Sequence, residues 1–243
     1  MKGKQQTRHI ILLWLMLISI TVASSELWAQ EPETEVTDTV VEEADSTDSI
    51  VKNVLIIGDS MTGWMAERLN AYGQINGFDV ATIVWDGSTI SKWADSPNLS
   101  KILEQQKPDA VIVCLGMNEL FEPNPQVKLK NSVEKLKQEF APYRLLWIGP
   151  PSWPGHDEGE ILDSWLEDEL GSKRYFRSLD LDLPRQSKSN PHPSKAGIEL
   201  WIDKVAEWIP YNSELNFKSL APPEKGKMSR GDVFIYKRMN ELL

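Results

Sequence analysis

Ser60 is the residue of this chain whose neighbours best suit it to nucleophilic chemistry. It follows an apolar run of strand length, residues 54–57, and a glycine, and it precedes a helical pattern of apolar residues. A buried strand that leads through a tight turn into a helix presents side chains at the carboxyl end of a sheet, next to free helix N–H groups. A serine placed there can attack a carbonyl carbon whose oxyanion then finds donors nearby. A helix-capping serine without a catalytic role fits the same residues about equally well.

Histidine is the usual base for a serine nucleophile, because its side chain can take up a proton near pH 7. The sequence contains three histidines, and His9 lies in the N-terminal segment. His192 lies in a loop that follows the last predicted strand and opens the last predicted helix, on the same side of the sheet as Ser60. We therefore interpret His192 as the base. His156, in a loop rich in proline and glycine, fits a solvated surface histidine better.

Strand and helix patterns alternate along residues 51–209. Short apolar runs predict five strands, at residues 54–57, 79–84, 110–115, 144–148 and, more weakly, 175–179. Apolar residues spaced three and four apart predict helices at residues 61–72, 99–106, 126–140, 161–170 and 194–209. This alternation predicts an α/β fold in which a five-stranded, mainly parallel sheet carries helices on both faces. Ligand sites in such sheets lie beyond the carboxyl ends of the strands.

Short motifs end the first three predicted strands, and a histidine motif precedes the last helix. In chain order they are Gly58-Asp59-Ser60, Gly87, Gly116-x-Asn118 and His192-Pro193. Together they resemble the motifs of the SGNH, or GDSL-like, hydrolase superfamily. The resemblance implies a flavodoxin-like three-layer α/β/α sandwich, with Ser60 as nucleophile and His192 as general base and then general acid. It also implies an oxyanion hole made by the backbone N–H groups of Ser60 and Gly87 and the side-chain amide of Asn118.

The sequence departs from this family at the acidic member of the triad. That aspartate usually lies three residues before the histidine, and sometimes two, where this chain has Ser189 and Asn190. A carboxylate there would stabilise the imidazolium and hold its tautomer. Three arrangements remain open. Asn190 or a backbone carbonyl could hold His192 in a slower dyad, Asp180 or Asp182 could take the acidic role, or the protein could bind without catalysing.

Tryptophans close to the motif loops bear on the substrate. Trp64, Trp85 and Trp153 are candidate substrate-binding residues, although core packing would explain each of them singly. As a group they favour a glycan O-acyl ester with a short, in particular acetyl, group over a long-chain lipid. The sequence thus predicts a serine esterase acting on an acylated glycan, cell-envelope or small ester substrate. An O-acyltransferase on the same site, and a catalytically weakened glycan-binding or envelope-assembly module, remain alternatives.

The N-terminal residues have the pattern of an export signal. Lys2, Lys4 and Arg8 precede an apolar segment at 10–23 that is short for a membrane span, and small residues follow it. We predict a signal peptide over residues 1–29, or alternatively an uncleaved signal anchor. The expected location is the periplasm or the exterior, or the inner membrane with the domain facing the periplasm.

Charge is unevenly distributed along the chain. Of the formal net charge of −10, residues 1–30 carry +2, residues 31–50 carry −8 with no lysine or arginine, and residues 51–243 carry −4. We predict a disordered acidic spacer at 30–50, the hydrolase-like domain at 51–210, and a C-terminal tail at 211–243 that packs on the domain.

Other classes of ligand are disfavoured. The domain lacks a basic footprint for nucleic acid, and a membrane contact is expected only through the N-terminal segment if it is not cleaved. The single cysteine, Cys114, and two separated histidines are too few for a typical transition-metal site, so we expect no metal and no cofactor. The motif around Ser60 also lacks the glycine spacing of a phosphate-binding loop.

Overall fold

A parallel sheet forms the centre of the protein. The computed structural model describes residues 50–156 and 158–238, and the strands in these residues are β1 (Asn53–Gly58), β2 (Asp79–Trp85), β3 (Ala110–Cys114), β4 (Arg144–Ile148), β5 (Tyr175–Phe176) and β6 (Phe234–Lys237). They lie in the order β5-β4-β3-β1-β2-β6, and every neighbouring pair is parallel. The predicted signal peptide at 1–29 and almost all of the predicted acidic spacer lie outside the described residues.

Helices cover both faces of the sheet. They are α1 (Thr62–Asn76), α2 (Ile90–Ala94), α3 (Leu99–Gln106), α4 (Pro125–Lys128), α5 (Lys130–Phe140), α6 (Glu160–Leu170) and α7 (Lys195–Asn212). Side chains of a strand point alternately to its two faces, so β1 sends Val54 and Ile56 to one apolar cluster and Leu55 and Ile57 to another. The first cluster includes residues of α1 and α7, and the second includes residues of α2, α3, α5 and α6. The fold is therefore a three-layer α/β/α sandwich.

The predicted fold class is confirmed, with three differences in detail. The predicted helix at 126–140 is divided at Leu129, where the backbone leaves helical geometry at φ −114°. The fifth strand is only two residues long, and Arg177, which follows it, pairs with Glu160 and Asp163 of α6. The sheet has a sixth strand, β6, at the edge where the sequence predicted only a tail.

The C-terminal segment is held against α1 by a buried arginine. The Arg68 side chain is 2% exposed, and its guanidinium pairs with Asp203 of α7 at 2.9 Å. The same guanidinium donates to the backbone carbonyls of Glu224 and Lys227 at 2.9 and 3.0 Å. A buried guanidinium is stable only when its donors are satisfied, so these contacts fix the course of residues 223–227 beside the helix pair. The segment then continues into β6.

No helix within residues 50–156 and 158–238 combines the length and apolarity needed to cross a bilayer. The apolar segment at 10–23 lies outside these residues, and its role as a signal stays a prediction.

Candidate active site

Ser60 lies in the turn between β1 and α1. A Cβ atom on Gly58 would lie only 2.2 Å from the carbonyl oxygen of Cys114, so a side chain at this position would collide with the neighbouring strand. Asp59 then fixes the turn, since its carboxylate accepts from the Met61 N–H at 2.9 Å and its carbonyl accepts from the Thr62 N–H at 3.1 Å. The turn leaves Ser60 at the carboxyl end of the sheet, directly before the first turn of α1.

Ser60 and His192 meet although 132 positions separate them in the chain. Ser60 Oγ lies 3.0 Å from His192 Nε2. On the other side of the ring, His192 Nδ1 lies 3.1 Å from Asn190 Oδ1, which also accepts from the His192 backbone N–H at 2.9 Å. Because an amide oxygen can only accept, Nδ1 carries the ring proton and Nε2 is left as an acceptor. This tautomer is the one that a base for Ser60 requires.

The loop that carries His192 is braced by Arg185. The Arg185 guanidinium donates to the carbonyl of Pro191, and also to that of Ser152 at 2.7 Å. It thereby joins the histidine loop to the loop that follows β4. On the helix side, Ser194 caps α7 by accepting from the Gly197 N–H at 3.2 Å. The position of the imidazole is thus set from both ends of its loop.

Burial favours the neutral form of His192. Partial burial disfavours the imidazolium and lowers the pKa of His192 from its ordinary value. The negative charge of Asp86 acts in the opposite direction, and the positive charge of Arg185 adds to the lowering. A base must be unprotonated before it can act, so the lowered pKa favours general-base chemistry near neutral pH.

Two of the predicted oxyanion-hole residues lie at strand ends next to Ser60. Asn118 follows β3, and its Nδ2 donates to the carbonyl of Ser88 at 2.7 Å and to Asp59 Oδ2 at 3.4 Å. Gly87 follows β2 in a left-handed turn with φ +64°. Asn118 is therefore bonded to the residues next to Gly87 and Ser60, and an oxyanion would have to take the place of one of these two acceptors.

Two buried acids lie behind these donors. Burial raises the pKa of Asp59 to about 7, against the lowering effect of the Met61 N–H bond. Burial also raises the pKa of Glu119 to about 8, although its Oε1 accepts from the Ile90 N–H at 2.5 Å. A protonated carboxyl opposes an oxyanion much less than a carboxylate would. Sequence reasoning did not single out Glu119.

A cavity of about 450 Å³ opens beside Ser60 and His192. Of the three candidate tryptophans, Trp64 lines this cavity and is 44% exposed. Trp85 is buried and packs edge-on against Trp93 at 5.7 Å, in the cluster on the other face, so its prediction as a substrate-binding residue was wrong. Trp153 packs against Phe121 at 5.6 Å and does not line the cavity.

The aspartates proposed as partners of His192 have other surroundings. Asp180 Oδ2 lies 2.7 Å from Arg177 Nε. Asp182 lines a separate surface cavity with Ser152 and Arg185. The structure therefore gives Asn190 the contact with the imidazole. His156 is exposed, as expected, and its ring lies 5.0 Å from that of Phe121.

Besides Glu119, sequence reasoning missed Arg185, Asp86 and the C-terminal residues that line the cavity. Arg185 and Asp86 carry charges close to a motif, but only tertiary contacts show what they bind. Within the described residues, no group of three His, Cys, Asp or Glu side chains could hold a metal ion.

Comparison with known proteins bears on the fold. No protein-family model matches the sequence, and no curated protein matches it. A two-domain esterase active on acetylated mannans, co-crystallised with mannopentaose, matches with a TM-score of 0.50 and 13% identity over 72% of this chain and 53% of that chain. A family 3 carbohydrate esterase from Clostridium thermocellum matches with a TM-score of 0.49 and 16% identity, over 65% of this chain and 94% of that one.

The description of a third solved structure names the G-D-S-L family. It is described as a lipolytic protein of the G-D-S-L family from Desulfitobacterium hafniense DCB-2, and it matches with a TM-score of 0.48 and 15% identity over 63% of this chain and 96% of that chain. At such low identities the similarity concerns the fold alone. The two-domain esterase, at a TM-score of 0.50, supports the three-layer α/β/α fold of this chain, which is the fold that its motifs imply.

Proposed function

We propose that this protein is an exported serine esterase that removes short acyl groups, acetyl in particular, from a glycan or cell-envelope substrate. The observation that carries the proposal is the 3.0 Å distance between Ser60 Oγ and His192 Nε2, with an acceptor on the other ring nitrogen. A nucleophile within hydrogen-bond reach of a base that a third group orients is the arrangement of covalent acyl-transfer enzymes.

The reaction would run through an acyl-serine. Ser60 Oγ attacks the ester carbonyl carbon while His192 Nε2 takes the hydroxyl proton, and the carbonyl electron pair moves onto oxygen. The N–H groups of Ser60 and Gly87 and the Asn118 amide stabilise that oxyanion. The C–O bond to the alcohol then breaks, and His192 returns its proton to the leaving oxygen. Water attacks the acyl-serine by the same steps and releases the carboxylic acid.

The surroundings of Ser60 support a polar alcohol partner. Trp64 presents an exposed ring to the cavity, and charged residues, Glu67 and Asp86 among them, line it as well. The two-domain esterase with a similar fold is active on acetylated mannans, and we propose the same broad class, an O-acylated glycan, for this chain.

The test is ester hydrolysis by the wild type and by Ser60→Ala. We expect cleavage of 4-nitrophenyl acetate and release of acetate from acetylated glycans, with little cleavage of palmitoyl esters. Ser60→Ala should lower the rate by about a thousandfold or more. The matched control is Ser100→Ala, a change at an exposed serine of α3, which should leave the rate unchanged. Selective cleavage of long-chain esters, or activity that survives Ser60→Ala, would contradict the proposal.

The lack of an aspartate at both Ser189 and Asn190 favours a second candidate function, a binding module with little catalysis. It predicts tight binding of acetylated glycan with no release of acetate. An acyltransferase is distinguished in the same assay, because an added acceptor glycan would then receive the acetyl group that otherwise appears as free acetate.

Export is part of the proposal and is tested separately. Cell fractionation should recover the protein outside the cytoplasm, and sequencing of its N-terminus should show cleavage after Ser25 or near Ala29. Recovery of the full-length chain in the membrane fraction would favour the signal anchor instead.

A further inference from the structure

β6 brings the C-terminal segment next to Ser60. It pairs in parallel with β2, with Tyr236 opposite Val84, and the Asp86 N–H donates to the carbonyl of Lys237 at 2.9 Å. Asp86 follows β2 at the carboxyl end of the sheet, the same edge at which Ser60 follows β1. Because β6 lies beside β2, it extends the carboxyl-terminal edge of the sheet, where the candidate active site lies.

The cavity beside Ser60 is walled by this segment. Residues from distant parts of the chain line it, among them Ser60, Trp64 and Glu67, then His192, and then Arg230, Phe234 and Tyr236 of the C-terminal segment. Its volume of about 450 Å³ is within the range of small-molecule sites, roughly 300–1,000 Å³. The tail for which sequence reasoning found no function thus supplies one wall of the candidate substrate site.

Two of the aromatic rings in the cavity are open to a ligand. Trp64 is 44% exposed and Tyr236 is 51% exposed, and they belong to different walls. Each ring offers an apolar face together with a polar group that can bond to hydroxyls. The third ring, Phe234, is covered on one face by the Arg230 guanidinium, whose Cζ lies 4.3 Å from the ring centre.

The charges of the cavity are mainly negative. Arg230 pairs with Glu67 at 2.9 Å, so these two charges offset each other. Asp86 adds a further carboxylate, whose negative charge acts on both Tyr236 and His192. A carboxylate accepts hydrogen bonds from sugar hydroxyls but repels an anionic sugar.

We propose that residues 230–236, with Trp64 and Asp86, form a subsite for an uncharged sugar ring whose O-acyl group lies at Ser60. Trp64 and Tyr236 pack on the ring, Asp86 accepts from its hydroxyls, and glycans built from uronic acids are excluded. This inference rests on the proposed esterase function and names the alcohol part of its substrate.

The experiment compares three substrates on the full chain: an acetylated oligosaccharide of neutral hexoses, an acetylated oligosaccharide of uronic acids of equal length, and 4-nitrophenyl acetate. We expect the wild type to favour the neutral oligosaccharide over the uronic one by about tenfold or more in kcat/KM. Tyr236→Ala should lower kcat/KM for the neutral oligosaccharide about tenfold more than for 4-nitrophenyl acetate, mainly through KM.

Further variants distinguish loss of the Tyr236 ring from a general disturbance of the fold. Tyr236→Phe keeps the aromatic face and should lose much less than Tyr236→Ala. Tyr211→Ala is the matched control, because Tyr211 is an 87% exposed tyrosine that does not line the cavity. Equal loss on all substrates in Tyr236→Ala and Trp64→Ala, or equal use of neutral and uronic glycans by the wild type, would overturn the subsite.

A binding measurement distinguishes failure of the subsite from failure of the esterase. Ser60→Ala should bind the deacetylated neutral oligosaccharide, and Ser60→Ala/Tyr236→Ala should bind it about tenfold more weakly. If the wild type cleaves no ester but this difference is found, the esterase proposal fails and the subsite stands. If esters are cleaved and the difference is absent, the subsite fails alone.

Discussion

Asn190 Oδ1 lies 3.1 Å from His192 Nδ1, at the ring nitrogen that a triad carboxylate would contact. The amide selects the same tautomer as a carboxylate would, because both accept the Nδ1 proton. It brings no negative charge, so it stabilises the imidazolium less. The candidate site is thus a Ser–His pair oriented by a neutral group.

Restoring the charge should make the catalyst faster. Asn190→Asp places a carboxylate of the same size at the same ring nitrogen, and we expect kcat/KM for 4-nitrophenyl acetate to rise about fivefold or more. Asn190→Ala removes the acceptor and should lower it about tenfold or more. The control is Asn124→Asp, an exposed change of the same kind. A fall in activity in Asn190→Asp would contradict this view of the site.

Asn118 should act in the transition state. Loss of one oxyanion donor commonly lowers kcat by roughly a hundred- to a thousandfold, so Asn118→Ala should show this loss in kcat with a small change in KM. Asn98→Ala serves as the matched control, because the side chain of Asn98 makes no capping bond at α3. Thermal unfolding of both variants checks the lost bond to Ser88. A loss confined to KM would show that Asn118 is not an oxyanion donor.

The pH profile should follow His192. Only the neutral imidazole acts as a base, and burial lowers its pKa, so the acid limb of kcat/KM should have its midpoint below 6.5, the ordinary value for histidine. Asp86 raises this pKa, so Asp86→Asn should move the limb to still lower pH. Measurement of kcat/KM for 4-nitrophenyl acetate from pH 4 to 9 decides the matter. A limb above 6.5, or a shift to higher pH in Asp86→Asn, would be inconsistent with this assignment.

Arg185 should be a positioning residue with two separable effects. Arg185→Lys keeps the charge but cannot donate to the carbonyls of both Pro191 and Ser152, so kcat should fall about tenfold or more. Arg185→Met loses the charge as well, and since this charge lowers the pKa of His192, the acid limb should move to higher pH in that variant alone. Wild-type kinetics in Arg185→Lys would show that Arg185 does not position His192.

The fold could be predicted from the sequence because its central strands are buried on both faces. Apolar runs such as residues 54–57 and 110–114 need no knowledge of their partners to be recognised. β6 differs, because it lies at the sheet edge, where Ile235 and Tyr236 are 39% and 51% exposed. Residues 213–233, which lead into it from α7, contain no helix, so the strand–helix alternation gave no indication of it.

The sequence indicated residues of the candidate site only where they belong to a recognised motif or lie next to one. The contact between Ser60 and His192 lies where the motifs predicted it, and Asn190 was among the partners considered. Trp85 was misplaced because the end of a strand does not reveal which face its last side chain takes. Asp86 and Tyr236 were missed because the pairing of β6 with β2 brings them together, and no local pattern indicates such a pairing.

The most direct measurement is the reaction of the purified protein with a fluorophosphonate, followed by peptide mass spectrometry. The probe forms a bond only with a serine whose proton can be removed and whose attack is assisted. We predict one modified peptide with the adduct on Ser60, and its loss in Ser60→Ala and His192→Ala but not in Ser100→Ala. Failure of the wild type to react, or an adduct on another serine, would contradict the account.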